Sequence, residues 1–588
     1  MAPVPLDLCT GEGTTVSDPL LDPSGTRVSA LVTHATAAGR RTELRIWDLR
    51  DGSESVLDCG GVLAAGRGLS GGAHAWHPDG NEILACTVGG GVVRVRLQSG
   101  SAEVTDIGLP AGVSWWGPQW SPDGGRIAVV GDMRVLVTHV PATGETTEVH
   151  RADDGFLVDA AWRDGTAVCH AWDRPEMAWT SSFILGAGSV PGVAVQQPRH
   201  SADGASFGHV GDENGTANVV IEADGIVAER TVVDDECEHA GPTWGPGQRT
   251  WCFSPDGTKV AYARNESGFG SLWMLDRLTG ERTMIARAVH GCVSWSGNVV
   301  CAMRSGARTP DQVVAYDVSD PARPRRILAR GFADPRWAGE LDAHLVEPSV
   351  HSADGVPWRL YEPSTTRRGL IVWVHGGPTD QWQVTWRPRF SYWLSRGYAI
   401  AVPDHRGSTG HGREHMLALE GAWGIADADD TAYVVRAAQG HTGTPHSRTV
   451  LMGGSAGGLT VLSAANRHGR LAACAVVAYP VVDLPLLMES DDPFEGHYNR
   501  VLVGDVTASP DIDVRHLRDV PVLSFHGDSD TLVVPRHSFL LRDAVTAAGG
   551  EVRVEIMEGE GHGFRDPRNI AREYQMTQSF LEEKLGRD

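Results

Sequence analysis

The chain has 588 residues, more than one hydrophobic core serves, since cores stop growing near ~250 to 300 residues, so two large domains are expected. Hydrophobic residues make up 41% and charged residues 21%, the composition of a packed globular protein and not of a disordered one. A net charge of −23 without a clustered Lys/Arg surface excludes nucleic acid as a partner and leaves small molecules, cationic peptides and amines open.

The first ten residues carry no basic region and no apolar run of signal length, and no stretch approaches a membrane span, which predicts a cytoplasmic protein without a membrane partner. Nine cysteines are scattered singly from Cys9 to Cys474 with no CxxC pair, so neither a disulfide framework nor a zinc knuckle is indicated. They read as small buried apolar residues.

The first ~330 residues repeat one theme, a turn of the (S/H)PDG kind followed by alternating apolar strands. The turns end at Gly25, Gly80, Gly124, Gly165, Gly204, Gly257 and Gly297, with spacings of 55, 44, 41, 39, 53 and 40 residues. Repeats of ~40 to 50 residues suit four-stranded propeller blades, and Pro-Asp-Gly presets the turn between strands. A seven-bladed β-propeller is predicted for residues 1–335, with a role in substrate access. Trp47-Asp48 resembles a WD40 blade ending, but one such pair carries little weight.

From about residue 340 the texture changes. Compact apolar runs at 369–374, 398–403, 449–453, 473–478 and 520–525 read as strands, separated by helical stretches such as 427–439 and 537–548. Continuous apolar strands alternating with amphipathic helices indicate a mostly parallel, doubly wound sheet, so an α/β-hydrolase domain is predicted for residues 336–588.

In Gly453-Gly454-Ser455-Ala456-Gly457 a strand runs into Gly-x-Ser-x-Gly and an apolar helix follows, the context of a nucleophile elbow. A bare GxSxG arises by chance in a chain with 71 glycines, and the strand, turn and helix context gives this one its weight. In this fold the acid and then the histidine follow the serine. The strand over 520–525 leads to His526-Gly527-Asp528-Ser529-Asp530, and the strand over 552–556 leads to Gly561-His562-Gly563. Ser455, Asp530 and His562 are therefore the predicted catalytic residues, with Asp528 as competitor for the acid. Oxyanion donors are expected from the Ala456 N–H and from the Gly377 N–H in the loop after the strand over 371–374.

These residues resemble the prolyl oligopeptidase family, in its acylaminoacyl-peptidase and dipeptidyl-peptidase branches. The matching stretches are His375-Gly376-Gly377-Pro378, residues 403–412 (PDHRGSTGHG), residues 423–430, the Gly-Gly-Ser-Ala-Gly-Gly elbow, His526-Gly527-x-x-Asp530 and Gly561-His562-Gly563. The resemblance implies a serine peptidase acting through an acyl-enzyme on short peptides or aminoacyl amides, of aminopeptidase or acylaminoacyl-peptidase type, with substrate size limited by the propeller and no cofactor. It implies an apolar S1 wall at Val481, Leu484 and Val533, with Trp382 and Trp386 as aromatic neighbours. It also implies carboxylate anchors for a substrate amine, with Glu236, Glu238 and Glu266 as candidates. Three departures stand out: Ala456 where relatives often carry Tyr, Asp404-His405 in place of a common Asn-Tyr pair, and no Tyr in the His375 loop.

His411-Gly412-Arg413-Glu414-His415 matches the HxxEH zinc signature literally, but the flanking glycines disfavour a helix start and no metal is predicted. An esterase or amidase, or an acyl transferase or cyclase acting on a small specialised metabolite, uses the same triad and stands as the alternative. A propeller interaction module with a dead hydrolase would lack a triad member, and all three are present. A homo-oligomer is left open.

Overall fold

The structure is a computed structural model that describes residues 2–11, 13–36, 39–57, 59, 69–98, 101–186, 190–224, 226–227, 230–332, 334–489, 492, 494–504 and 514–586. The chain divides into two compact units. One comprises Gly13–Ala333 with Gln383–Thr385, the other Met1–Glu12, Asp334–Trp382 and Trp386–Asp588.

The first unit is a seven-bladed β-propeller. Among the described residues, sheets over 13–57, 74–106, 115–151, 195–232, 251–287 and 289–330 have four strands each and the sheet over 155–184 has three. All pairings are antiparallel between consecutive strands. The seven turns anticipated from sequence all join the first strand of a sheet to its second. Their chemistry repeats: Ser121, Ser201 and Ser254 donate to Asp123, Asp203 and Asp256 two residues on, and each Ser Oγ accepts the N–H five residues on. Adjacent turns are tied as well, since Arg27 donates to Gly80 O at 2.6 Å, His77 lies 3.2 Å from Gly124 O and Arg126 donates to Gly165 O at 2.8 Å. The ring closes by packing of Val28, Ala30 and Val32 of the first sheet against Cys301, Met303 and Val313 of the last, and by a hydrogen bond from Leu21 N–H to Ser294 Oγ at 3.2 Å.

The second unit is the α/β-hydrolase domain. Among the described residues its eight strands are β1 (Ser349–Ala353), β2 (Val356–Tyr361), β3 (Gly369–Val374), β4 (Tyr398–Pro403), β5 (Thr449–Gly454), β6 (Cys474–Ala478), β7 (Val522–Gly527) and β8 (Val552–Met557). They lie in the order β1-β2-β4-β3-β5-β6-β7-β8, antiparallel up to the β2/β4 pair and parallel from there on. Strands β3 and β4 are buried along their whole length, which is why they read as unbroken apolar runs. Helices Ala426–Thr442, Ala456–His468 and Arg536–Ala547 share one core cluster with the sheet.

Residues Met1–Glu12 correct the boundary expected from sequence, because they cluster with the hydrolase domain instead of the propeller. Val4 is buried, its N–H donates to Ser395 Oγ at 2.9 Å, and Cys9 packs against Pro388. A segment this short shows its attachment only through contacts distant in sequence.

The propeller also buries neutral histidines. His170 is fully buried, and neither ring nitrogen has a hydrogen-bond partner among the described residues. Burial pushes His170 and His290 down to about 3, and His200 and His209 down to about 4. An unfolded histidine titrates near ~6.5, so below that pH the unfolded chain binds more protons than the native one and stability falls as pH falls, until the folded values are reached. Each fully buried histidine costs about 1 kcal/mol of stability per pH unit in that window. His170→Leu removes one such proton, so the stability lost between pH 7 and pH 5, measured by urea unfolding, should shrink by about 2 kcal/mol. An unchanged pH slope would contradict the assignment.

Candidate active site

Ser455 stands between β5 and helix Ala456–His468 with φ 54° and ψ −124°, a conformation that L residues rarely adopt. The crossing is tight enough to require hydrogen in place of a side chain. A Cβ on Gly453 would stand 2.2 Å from Gly457 O, and one on Gly457 would stand 2.5 Å from His375 O and 2.6 Å from Val374 O. The serine thus projects at the carboxyl edge of the sheet, and Ala456 opens the helix, where N–H groups lack intrahelical acceptors.

The structure brings Ser455, His562 and Asp530 into one hydrogen-bonded line. His562 Nε2 lies 3.0 Å from Ser455 Oγ, and His562 Nδ1 lies 2.8 Å from Asp530 Oδ2. With Nδ1–H donating to the carboxylate, Nε2 is free to accept the serine proton, so the line can deprotonate the hydroxyl as it attacks a carbonyl. Asp530 is buried, and its Oδ1 accepts the N–H groups of Leu532 and Val533, both at 3.0 Å, which leaves Oδ2 aimed at the imidazole. Asp528 is exposed and occupied elsewhere, accepting from Gly559 N–H at 2.9 Å and from Ser529.

Several supporting residues escaped sequence reasoning. His526 in β7 is fully buried, with Nε2 2.7 Å from Val533 O and Nδ1 2.7 Å from Ser538 Oγ, so it fixes the loop that carries Asp530. Glu560 accepts the N–H groups of Arg565 and Asp566 at 2.9 Å each and holds the loop that carries His562. The Tyr479 ring lies 4.7 Å from the His562 ring.

The loop after β3 meets the serine directly, for a Cβ on Gly376 would lie 3.6 Å from Ser455 Cβ. His375 is completely buried and pushed down to about 3 by burial, hence neutral. Its Nδ1 lies 2.8 Å from Gly376 O and its Nε2 2.8 Å from Ser408 Oγ, so Nδ1–H donates to the carbonyl and the serine hydroxyl donates to Nε2. Carbonyl and N–H of one peptide point in opposite directions, so pinning Gly376 O aims the Gly377 N–H away from the histidine. Behind the loop, buried Asp404 accepts Arg359 twice (2.9 and 2.6 Å) and Gln381 (2.7 Å) and meets His411 at 2.8 Å. The Arg359 guanidinium holds this carboxyl well below the usual range despite its burial.

Val481, Leu484 and Val533 are buried to 2, 1 and 2% exposure. Val481 N–H donates to Ser455 O at 3.2 Å, and Val533 touches Asp530 as described, so two of the three join the line through their backbones. Trp382 rests 5.9 Å from Phe390, while Trp386 is buried and meets Trp337 at 4.9 Å. In the propeller, Glu238 is buried and its O accepts Asn265 N–H at 2.8 Å, which places it beside the Glu266 strand, whereas Glu236 is exposed.

The HxxEH stretch holds one surprise. A short helix, Arg413–Leu417, does start directly after Gly412, contrary to the expectation from its glycines, but it leaves His411 outside. His411 is bound to Asp404, and His415 Nε2 lies 3.2 and 3.0 Å from the carbonyls of Asp404 and His405. Both histidines are thereby engaged in holding the 404–405 turn.

Residues 382–588 match the model of the prolyl oligopeptidase family. Dipeptidyl aminopeptidase BIII of Pseudoxanthomonas mexicana is 29% identical over 236 residues, covering 37% of this chain and 33% of its own. The acylamino-acid-releasing enzyme of Rattus norvegicus is 28% identical over 258 residues, covering 41% of this chain and 35% of its own. The chain thus spans about a third of the length of the curated relatives it matches. Among solved structures, a puromycin-hydrolyzing peptidase of Mycobacterium tuberculosis superposes with a TM-score of 0.86 at 22% identity, covering 100% of this chain and 97% of the other, a likeness of fold. Among the described residues no helix is long and apolar enough to cross a membrane. The match to the prolyl oligopeptidase family thus falls on residues 382–588 of the hydrolase domain, and the whole chain shares its two-part fold with the solved structure.

Proposed function

We propose that the protein is a serine peptidase that hydrolyses short peptides or aminoacyl amides near their amino end. The observation that carries the reading is the line from Ser455 through His562 to buried Asp530. Ser455 Oγ attacks the amide carbonyl while His562 Nε2 takes its proton. The oxyanion is held by the N–H groups of Ala456 and Gly377. Collapse of the tetrahedral intermediate breaks the C–N bond, His562 returns the proton to the departing amine, and water repeats the sequence to free the acid.

Val481, Leu484 and Val533, with Trp382 and Trp386 beside them, form the apolar wall for the side chain next to the scissile bond in this reading. Glu236, Glu238 and Glu266 are the propeller carboxylates proposed to hold a free substrate amine, Glu238 and Glu266 lying on neighbouring backbone. The names of the relatives, a dipeptidyl aminopeptidase, an acylamino-acid-releasing enzyme and a puromycin-hydrolyzing peptidase, support an amide substrate. Limitation of substrate size by the propeller belongs to the same proposal. A cytoplasmic setting is supported by nine cysteines that are all unpaired, and the absence of a nucleic-acid partner by the net charge of −23.

A panel of p-nitroanilides with free and acetylated amino termini tests the reading. Turnover of at least one class is expected, and Ser455→Ala should lower kcat by roughly 10⁴ to 10⁶ with the unfolding temperature retained. Full activity in folded Ser455→Ala protein would overturn the mechanism. His375→Phe keeps ring volume but releases Gly376 O, so kcat should fall at least ~10-fold with KM nearly constant, because a misaimed oxyanion donor acts on the transition state. A change confined to KM would show that the histidine does not orient the donor.

A further inference from the structure

The innermost strands of the seven sheets contact one another in succession around the ring, and each carries, within it or on its approach, a residue at positive φ. Asp18, Gly72, Gly117, Asp159, Gln197, Gly247 and Cys292 supply such a position in each of the seven blades, with φ of 50, 87, 64, 51, 55, 92 and 51°. At such a residue the strand breaks step, and backbone and side-chain groups turn out of the ladder. In this propeller they turn toward one another.

Several of the bonds made here join blades that are not neighbours. Gly71 N–H of the second blade donates to Gly247 O of the sixth at 2.6 Å. Gly247 N–H in turn donates to Asp159 Oδ1 of the fourth blade at 2.6 Å. Arg249 of the sixth blade donates to Asp18 Oδ1 of the first at 3.0 Å, while Asp18 Oδ2 meets His74 of the second at 3.1 Å. Cys292 Sγ of the seventh blade donates to Leu69 O on the approach to the second at 3.0 Å. Approach is closest at the glycines, where a Cβ on Gly247 would fall 1.7 Å from Gly71 O.

From these cross-ring bonds we infer that the propeller axis is closed by a polar plug, built of residues 69–74 and 241–250 with Asp18, Asp159 and Cys292, and that no peptide passes along this axis. A peptide in transit needs about 5 Å between itself and each neighbouring backbone, and opposite blades hydrogen-bonded to each other leave no such gap. The plug is also costly to open. Asp18 and Arg249 are both withdrawn from water, with side-chain exposures of 0 and 11%, and parting them would leave a buried charge without its partner. This inference rests on the peptidase reading only for its kinetic test.

Leu69→Cys supplies that test, because the new thiol stands beside Cys292, in a place where a Cβ on Gly291 would be 2.8 Å from Leu69 Cβ. Oxidation locks the plug, and a count of alkylatable thiols in denaturant confirms the bond. Oxidised and reduced forms should hydrolyse aminoacyl and tetrapeptide p-nitroanilides with kcat/KM equal within twofold. A tenfold or larger loss on oxidation, restored by dithiothreitol and steeper for the tetrapeptide, would overturn the inference. If the bond does not close, or if no substrate turns over, hydrogen exchange on the native protein decides. The Gly71 amide should be slowed at least a thousandfold, and exchange at the rate of an open loop would refute the plug whatever the enzyme's activity.

Discussion

The whole active site depends on one crossing of backbone, where the strand ending at Gly454 turns into the helix beginning at Ala456 with Ser455 held at φ 54°. Such a conformation is strained for serine, and it persists because its surroundings leave no alternative. Gly453, Gly457 and the end of β3 are pressed so closely together that a methyl group at either glycine would collide with carbonyl oxygens. That contact also sets the proposed oxyanion loop, since the carbonyls packed on Gly457 belong to Val374 and His375, the residues that lead into Gly376 and Gly377. The proposed nucleophile and oxyanion donors are therefore positioned by one interface between two neighbouring parallel strands.

Buried polar groups around this crossing are arranged so that each one has a single available role. Asp530 spends one oxygen on two backbone amides and keeps the other for His562. His375, held neutral, has one nitrogen for Gly376 and one for Ser408. Asp404 takes donors from Arg359, Gln381 and His411, and an ion pair so completely withdrawn from water is stable only with such full hydrogen bonding. Thr460 donates to Asp427, tying the helix that carries the nucleophile to the long helix beside it.

The sequence announces this arrangement unevenly. Ser455, Asp530 and His562 are legible because each sits just past a strand in a glycine-flanked turn, the chemistry calls for those residue types, and the fold sets their order. The seven propeller turns are legible for a similar reason, as Ser, Asp and Gly there satisfy the turn locally. The bracing roles of His526, His375 and Glu560 carry no such signal, since a buried histidine or glutamate that braces a loop looks in sequence like any surface one. The helix after Gly412 was obscured by the local propensity of glycine, which tertiary contacts at His415 override. The attachment of residues 2–11 and the meeting of Gly71 with Gly247 depend on pairings hundreds of residues or several blades apart, and no periodicity records them.

The most direct test of the central claim is mass-spectrometric mapping of the protein after reaction with a fluorophosphonate, which captures a serine only when a neighbouring base and oxyanion donors activate it. One adduct per chain, located on Ser455 and abolished by His562→Ala, is the predicted result. Labelling at another serine, or undiminished labelling of Ser455 without His562, would contradict the account.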